Sequence, residues 1–123
     1  MASAETPNPR QGEIWLTAFG AAQAGEAGKT RPAVVLSTTD QMTGSLYDLV
    51  IMVPISSTLP PSAVRPQVPA TPATGLVTDS VAVVRALRGM TPTRLVRHIG
   101  QVETATLRQI SEILGALTDV EPS

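Results

Sequence analysis

The chain contains no cysteine, which excludes disulfide bonds and thiolate metal sites. Its single histidine, His98, has no metal-ligating residues around it at a recognised spacing. The lack of cysteine fits a reducing compartment. It also means that packing of one modest hydrophobic core must stabilise a single domain of 123 residues.

Long apolar segments are missing as well. The first ten residues contain no hydrophobic stretch of the signal-peptide kind, and no later run is long enough to cross a bilayer. We therefore expect a cytoplasmic protein that does not insert into membranes, with a flexible N-terminal segment over residues 1–11 and one domain over residues 12–118.

Charge of one sign is not in excess, since the formal net charge is −1. The distribution is nevertheless uneven: residues 65–97 carry five arginines against Asp79, a local net charge of +4, whereas residues 98–123 carry −3. A local basic face favours a phosphate-bearing partner. The alternative is a set of solvated arginines spread over several faces.

Short apolar runs bounded by turn-forming residues make up most of the chain, and they predict strands. Pro66 limits one of them to an edge position. The predicted strands are Glu13–Ala18, Pro32–Ser37, Leu49–Ile55, the edge strand Val64–Val68, Asp79–Val84 and Val96–Val102, with a short turn or single helical turn around Thr91–Arg94.

From Thr104 the apolar period changes to that of a helix, with Leu107, Ile110, Leu114 and Leu117 on one face. The sequence therefore predicts a mainly β domain that ends in an amphipathic helix. Its short strands indicate a small, highly bent sheet or a partly open barrel against which the helix packs.

Recognised catalytic motifs are absent from the sequence. The remaining candidates for a functional site are an arginine, a nearby carboxylate and a run of hydroxyl side chains. Glu26 and Arg31 lie in a glycine-punctuated loop before the second strand, and the hydroxyl run 56–58 follows the third strand. If these strands are antiparallel neighbours, Arg31 and Ser56 lie close together. The alternative for the hydroxyl run is simple turn chemistry.

Several short motifs follow one another in a characteristic order. They are Gly12-Glu13-Ile14-Trp15, the loop and strand from Glu26 through Arg31-Pro32-Ala33-Val34-Val35-Leu36-Ser37, Val53-Pro54-Ile55-Ser56-Ser57, Gly75-Leu76-Val77-Thr78-Asp79-Ser80, Arg94-Leu95 and Ile99-Gly100. Together they resemble the MazF/PemK family of toxin endoribonucleases, the mRNA interferases, from Gly12 to about Leu117.

This resemblance implies a small SH3-like barrel with a C-terminal helix, usually a homodimer. It implies the toxin of a type II toxin–antitoxin system that cuts single-stranded RNA at short sequences without a metal or other cofactor. The implied reaction is attack by a ribose 2′-OH on its own phosphodiester, which leaves a 2′,3′-cyclic phosphate and a 5′-OH. The implied partners are single-stranded RNA and a cognate MazE-like antitoxin.

The resemblance also implies roles for residues. Arg31 matches the family's key arginine, Ser56 stands where most members carry threonine, and Glu26 matches an acidic loop residue that serves as a base or orients Arg31. The implied RNA-binding residues are Lys29, Thr30, Ser57, Arg88 and Phe19, with a solvated loop charge as the alternative for Lys29 and a core plug as the alternative for Phe19.

The chain departs from the family pattern at Arg85-Ala86, where polar groups are expected, and at Gly25, where a serine is common. The family's cleavage preferences are therefore not transferred to it. Two alternatives remain open: a CcdB-like gyrase-inhibiting toxin, disfavoured because residues 119–123 lack that family's Trp-Gly-Ile tail, and a catalytically silent barrel that binds RNA or protein.

Overall fold

The computed structural model describes residues 7–20, 29–38 and 49–122. Within these residues the chain forms seven strands and one α-helix. They are β1 (Glu13–Ala18), β2 (Thr30–Val35), β3 (Val50–Ser56), β4 (Gln67–Val68), β5 (Ser80–Ala82), β6 (Arg88–Met90), β7 (Leu95–Gln101) and α1 (Thr104–Leu117). No helix in this part of the chain has the length and apolar character needed to cross a bilayer.

The strands form one antiparallel sheet in the order β4-β5-β3-β2-β1-β7, and β6 also pairs with β3. The result is a half-barrel with one C-terminal helix, which confirms the predicted fold class. Because β3 pairs with β2 along one side and with both β5 and β6 along the other, it is the central strand.

The helix covers one face of the sheet, which we call the helix face. Ile110 of α1 is completely buried there against residues that alternate along three strands, namely Ile14, Val34, Val53 and Ile55. Leu107, Ile113, Leu114 and Leu117 surround this contact. The helical period of these residues in the sequence therefore corresponds to the packed side of α1.

The opposite face carries a second apolar cluster, formed by Ala33, Val35, Val50, Met52, Met90 and Leu95. We call it the Met52 face. Trp15 and Phe19 are partly buried and pack against this cluster. Strand alternation explains the two clusters, because successive side chains of β2 and β3 point to opposite faces.

Most predicted elements match the structure within a residue, and four details differ. β2 runs from Thr30 to Val35, so it begins and ends two residues earlier than predicted; it begins earlier because Thr30 and Arg31 pair with β1. β5 is shorter than predicted, since the chain enters a 3₁₀ turn at Val84–Ala86. The predicted edge strand is reduced to Gln67–Val68, and β6 was not predicted at all.

Two glycines allow the segment before β5 to cross β7 at close range. Gly75 has a φ of 68°, and a Cβ atom there would overlap the carbonyl oxygen of Ile99. A Cβ atom at Gly100 would overlap the backbone of Thr74. The motifs that contain Gly75 and Gly100 thus contact each other, and both positions require glycine because there is no room for a side chain.

The start of the domain at residue 12 stays a prediction. Residues just before it nevertheless make contacts with the domain. Pro9 is fully buried, and the Arg10 amide donates a hydrogen bond of 2.7 Å to Glu13 Oε1. Pro9 is therefore packed against the domain, and the exposed Arg10 is hydrogen-bonded to it.

Candidate functional site

Pro32 controls where β2 and β3 separate. In β2 the backbone N–H groups of even-numbered residues point towards β3, as the 2.8 Å bond from Leu36 N to Ile51 O indicates. Proline has no N–H to donate, and pairing between the two strands ends at Ala33 and Pro54. The residues just beyond this last pair are therefore not joined by the ladder.

Arg31 and Ser56 lie at the point where β2 and β3 separate. The register that pairs Ala33 with Pro54 places Arg31 opposite Ser56, two residues further along each strand. Both side chains belong by alternation to the Met52 face. The expectation that β2 and β3 are antiparallel neighbours, with Arg31 and Ser56 on facing positions, is met by this register.

Arg31 is exposed and pairs across the other edge of β2 with Thr17 of β1. Within the described ranges, no carboxylate lies within ion-pair distance of its guanidinium. Thr17 is fully buried, and its hydroxyl lies 3.8 Å from the sulfur of Met52. Arg31 thus extends from the exposed start of β2, with its five N–H donors available to an anion.

Ser56 is only 8% exposed, and its hydroxyl organises the turn that follows β3. Its Oγ accepts hydrogen bonds from the amides of Thr58 (3.2 Å) and Leu59 (3.3 Å) and lies 3.2 Å from Thr58 Oγ1. The turn-forming role considered for this hydroxyl run is therefore present. One consequence is that the exposed Thr58 hydroxyl is linked directly to Ser56.

Arg88 and Phe19 meet on the same face. Arg88 of β6 lies opposite Met52, and its guanidinium carbon is 5.3 Å from the centre of the Phe19 ring. Phe19 packs on the Met52-face cluster, and its amide donates a 3.0 Å hydrogen bond to the carbonyl of Lys29. Phe19 therefore packs partly into the core, and its ring also contacts the guanidinium of Arg88.

The other predicted RNA-binding residues are distributed differently. Lys29 and Thr30 are exposed at the start of β2, but alternation turns the Thr30 side chain away from Arg31. Ser57 lines a groove with Leu16, Pro32 and Arg97, on the side of the sheet opposite Ser56. The structure thus brings together Arg31, Ser56, Arg88 and Phe19, but not Thr30 or Ser57. Glu26 lies outside the described residues, as does Gly25.

Trp15 and His98 were not predicted to belong to a site, yet both lie on the Met52 face. Trp15 is partly exposed rather than a fully buried core residue, and it is the register partner of His98. The signal that was available in the sequence is the alternation of Trp15 and Thr17 along β1, continued by Phe19 just after the strand. The described residues contain no group of three or more potential metal-ligating side chains.

Comparison with known proteins agrees with this architecture. Residues 10–118 match the family model described as PemK-like, MazF-like toxin of type II toxin–antitoxin system. A curated relative, endoribonuclease MazF9 of Mycobacterium tuberculosis (strain ATCC 25618 / H37Rv), is 33% identical over 85% of this chain and 92% of its own length.

Two solved structures have the same fold. MazF from Deinococcus radiodurans superposes with a TM-score of 0.73 at 20% identity, covering 93% of this chain and 99% of that chain. An endoribonuclease in complex with its cognate antitoxin, from a mycobacterial species, gives a TM-score of 0.70 at 17% identity, covering 93% and 99%. The family match spans nearly the whole domain, so the chain belongs to the PemK-like, MazF-like toxins of type II toxin–antitoxin systems.

Proposed function

We propose that this chain is an endoribonuclease that cuts single-stranded RNA on the Met52 face, with Arg31 as its catalytic cation. The observation that carries the proposal is the position of Arg31: exposed, opposite Ser56, and located where β2 and β3 separate. The 33% identical relative is an endoribonuclease, which supports the same reaction class.

The proposed reaction is a transesterification within the RNA. A base removes the proton of a ribose 2′-OH, and the 2′-oxygen forms a bond to the adjacent phosphorus. The bond from phosphorus to the 5′-oxygen breaks, and that oxygen takes up a proton. The products are a 2′,3′-cyclic phosphate and a 5′-OH, so atoms and charge balance without an oxidant or reductant.

Arg31 suits the electrostatic part of this reaction. Negative charge develops on the phosphoryl oxygens, and two guanidinium N–H groups can donate to them at once. A permanently charged arginine keeps its own proton, so a different group accepts the 2′-OH proton. Glu26 is proposed for that role or for orienting Arg31. The Ser56–Thr58 hydroxyl pair is proposed to bind the phosphate beside it.

The proposed reaction uses no metal and no other cofactor, since Arg31 supplies the positive charge. Arg88 and Lys29 contribute further phosphate contacts, and Phe19 offers a ring to an unpaired base. We also propose that the protein acts in the cytoplasm, where its RNA substrate would be. We further propose a homodimer, because pairing two such small domains lengthens a shallow RNA-binding surface. Light scattering measures the oligomeric state directly.

The proposed partner is an antitoxin with an acidic segment. A neighbour with the same fold has been solved with its cognate antitoxin. Acidic side chains compete with RNA for Arg31 and Arg88, and such a segment folds on contact. Co-expression with the small open reading frame beside the gene is expected to yield an RNase-inactive complex that weakens with salt. A bound neighbour that leaves cleavage undiminished would contradict competition at this site.

The test of the activity is incubation of purified protein with unstructured RNA in EDTA, followed by analysis of the new ends. The proposal predicts 5′-OH and 2′,3′-cyclic phosphate ends at the same rate with and without EDTA. Ends carrying 5′-phosphate, or loss of cleavage in EDTA, would contradict it. RNA binding without new ends would indicate the catalytically silent barrel, and gyrase inhibition without cleavage would indicate the CcdB-like alternative.

A further inference from the structure

Besides the Arg88–Phe19 contact, a pair of rings lies on the Met52 face. The rings of Trp15 and His98 have their centres 5.5 Å apart and are tilted by 42°. The two residues are register partners on β1 and β7. Phe, Trp and Tyr make up only 2% of the chain. The two of these residues that the structure describes, Trp15 and Phe19, both lie on the face that carries Arg31.

Glu13 fixes this ring pair from one side. Its Oε1 accepts a 3.0 Å hydrogen bond from Trp15 Nε1 and also binds the Arg10 amide, while its Oε2 lies 3.5 Å from His98 Nε2. The Glu13 side chain is 18% exposed, whereas 46% of the His98 side chain is exposed. His98 is therefore held in place but remains accessible to a ligand.

The strand register gives the position of the Trp15–His98 pair relative to Arg31 of the proposed site. Trp15 and Thr17 of β1, and Phe19 just after its end, occupy alternate positions on the Met52 face, and Thr17 lies opposite Arg31. Two strand residues span about 7 Å. The Trp15–His98 pair and the Phe19–Arg88 pair consequently lie one such step on either side of the row that contains Arg31.

We infer that His98, backed by Trp15, forms a stacking subsite for the base of a nucleotide that flanks the scissile phosphate. This inference rests on the proposed RNA cleavage. Unpaired bases stack on aromatic and histidine rings in single-stranded RNA recognition, and stacking tolerates any base because each has a π-face. Arg97, the residue before His98, lines the groove on the other side of the sheet and does not belong to this subsite.

The test uses a 2′-O-methyl RNA decamer that contains the mapped cut site and is resistant to 2′-OH attack. Each nucleotide is replaced in turn by an abasic residue, and Kd is measured by fluorescence anisotropy. For the wild type, one flanking abasic position is expected to weaken binding about 5- to 50-fold. His98→Ala is expected to weaken binding of the intact decamer by a similar factor and to abolish the sensitivity at that position.

Two variants control for charge and for the strand. His98→Phe retains a ring and is expected to bind as the wild type does. Val96→Ala changes an exposed residue of the same strand and is also expected to bind normally. Trp15 is the chain's one tryptophan, so its emission gives an independent signal: the intact decamer should quench it, and the decamer abasic at the sensitive position should not.

The outcomes separate this inference from the proposed function. If the wild type cuts RNA through Arg31 while His98→Ala keeps the same affinity and the same abasic profile, the stacking subsite is refuted and the proposed function stands. If the wild type neither cuts nor binds RNA, both are refuted.

Discussion

The guanidinium carbon of Arg88 lies 5.3 Å from the centre of the Phe19 ring, although 69 positions separate the two residues in the chain. Arg88 reaches the ring from β6, which pairs with the central strand β3, and Phe19 follows the end of β1. A cation supported in this way loses less freedom when it binds a phosphate, because its side chain is already oriented.

The Arg88–Phe19 contact is expected to couple the two residues in RNA binding. Arg88→Ala should weaken binding of a non-cleavable RNA several-fold through the lost phosphate contact. Phe19→Leu should weaken it by a smaller factor, since a cation over an aromatic ring gains roughly 0.5–2 kcal/mol. The double variant should lose less than the two single losses combined. Titration at constant salt measures all three affinities.

The matched control for this pair is Arg85→Ala, which removes an exposed arginine from the 3₁₀ turn just before β6. It should bind as the wild type does. Strictly additive losses in the double variant would show that Phe19 does not orient Arg88.

Substitution of Ser56 is expected to affect both stability and activity. Ser56→Ala leaves the Thr58 and Leu59 amides without their acceptor, which should cost about 1 kcal/mol of unfolding free energy. Cleavage should fall by less than it does for Arg31→Ala, and Ser56→Thr should retain both properties. Denaturant unfolding and cleavage rates measure the two effects separately. The control is Ser62→Ala, which removes another turn hydroxyl and should leave the cleavage rate unchanged. If Ser56→Ala cut RNA at the wild-type rate, Ser56 would not belong to the site.

The crossing at Gly75 is expected to be critical for stability. Gly75→Ala forces a positive φ on a residue with a side chain and creates an overlap with Ile99, so unfolding free energy should fall by about 2 kcal/mol or more. Gly115→Ala is the contrasting variant. Gly115 lies in α1, and apart from the local helix backbone no atom lies within 4 Å of the position that its Cβ atom would take. It should stabilise the protein by about 0.5–1 kcal/mol. A thermal melt in which Gly75→Ala unfolds at the wild-type temperature would contradict this account.

Much of the architecture could be predicted from local pattern. The residues Glu13–Ala18 and the helix from Thr104 were predicted at their observed positions because their apolar periods are unambiguous. The family prediction is confirmed, and the predicted enzyme class is that of the curated relative. β6 was missed because Arg88-Gly89-Met90 is three residues long with one buried side chain, and only its pairing with β3 defines it as a strand.

The site was only partly predictable for a related physical reason. Arg31 and Ser56 were expected to be close because antiparallel neighbours bring such positions together. Which face each side chain occupies depends on register, and a shift of one residue reverses it. That register turns Thr30 away from Arg31, and Ser57 lies in a groove on the opposite side. Bulges in the β1–β7 pairing bring His98 beside Trp15, which no local pattern reveals.

The central claim is that Arg31 is the catalytic cation, and the cleavage rate of Arg31→Ala tests it most directly. Arg31 is exposed, so the variant should keep the wild-type circular dichroism spectrum and melting temperature. Loss of a preorganised charge donor should lower the single-turnover rate about 10²-fold or more. Arg108→Ala, which removes an exposed arginine from α1, should cut RNA at the wild-type rate. A folded Arg31→Ala protein that also cuts at the wild-type rate would contradict the account.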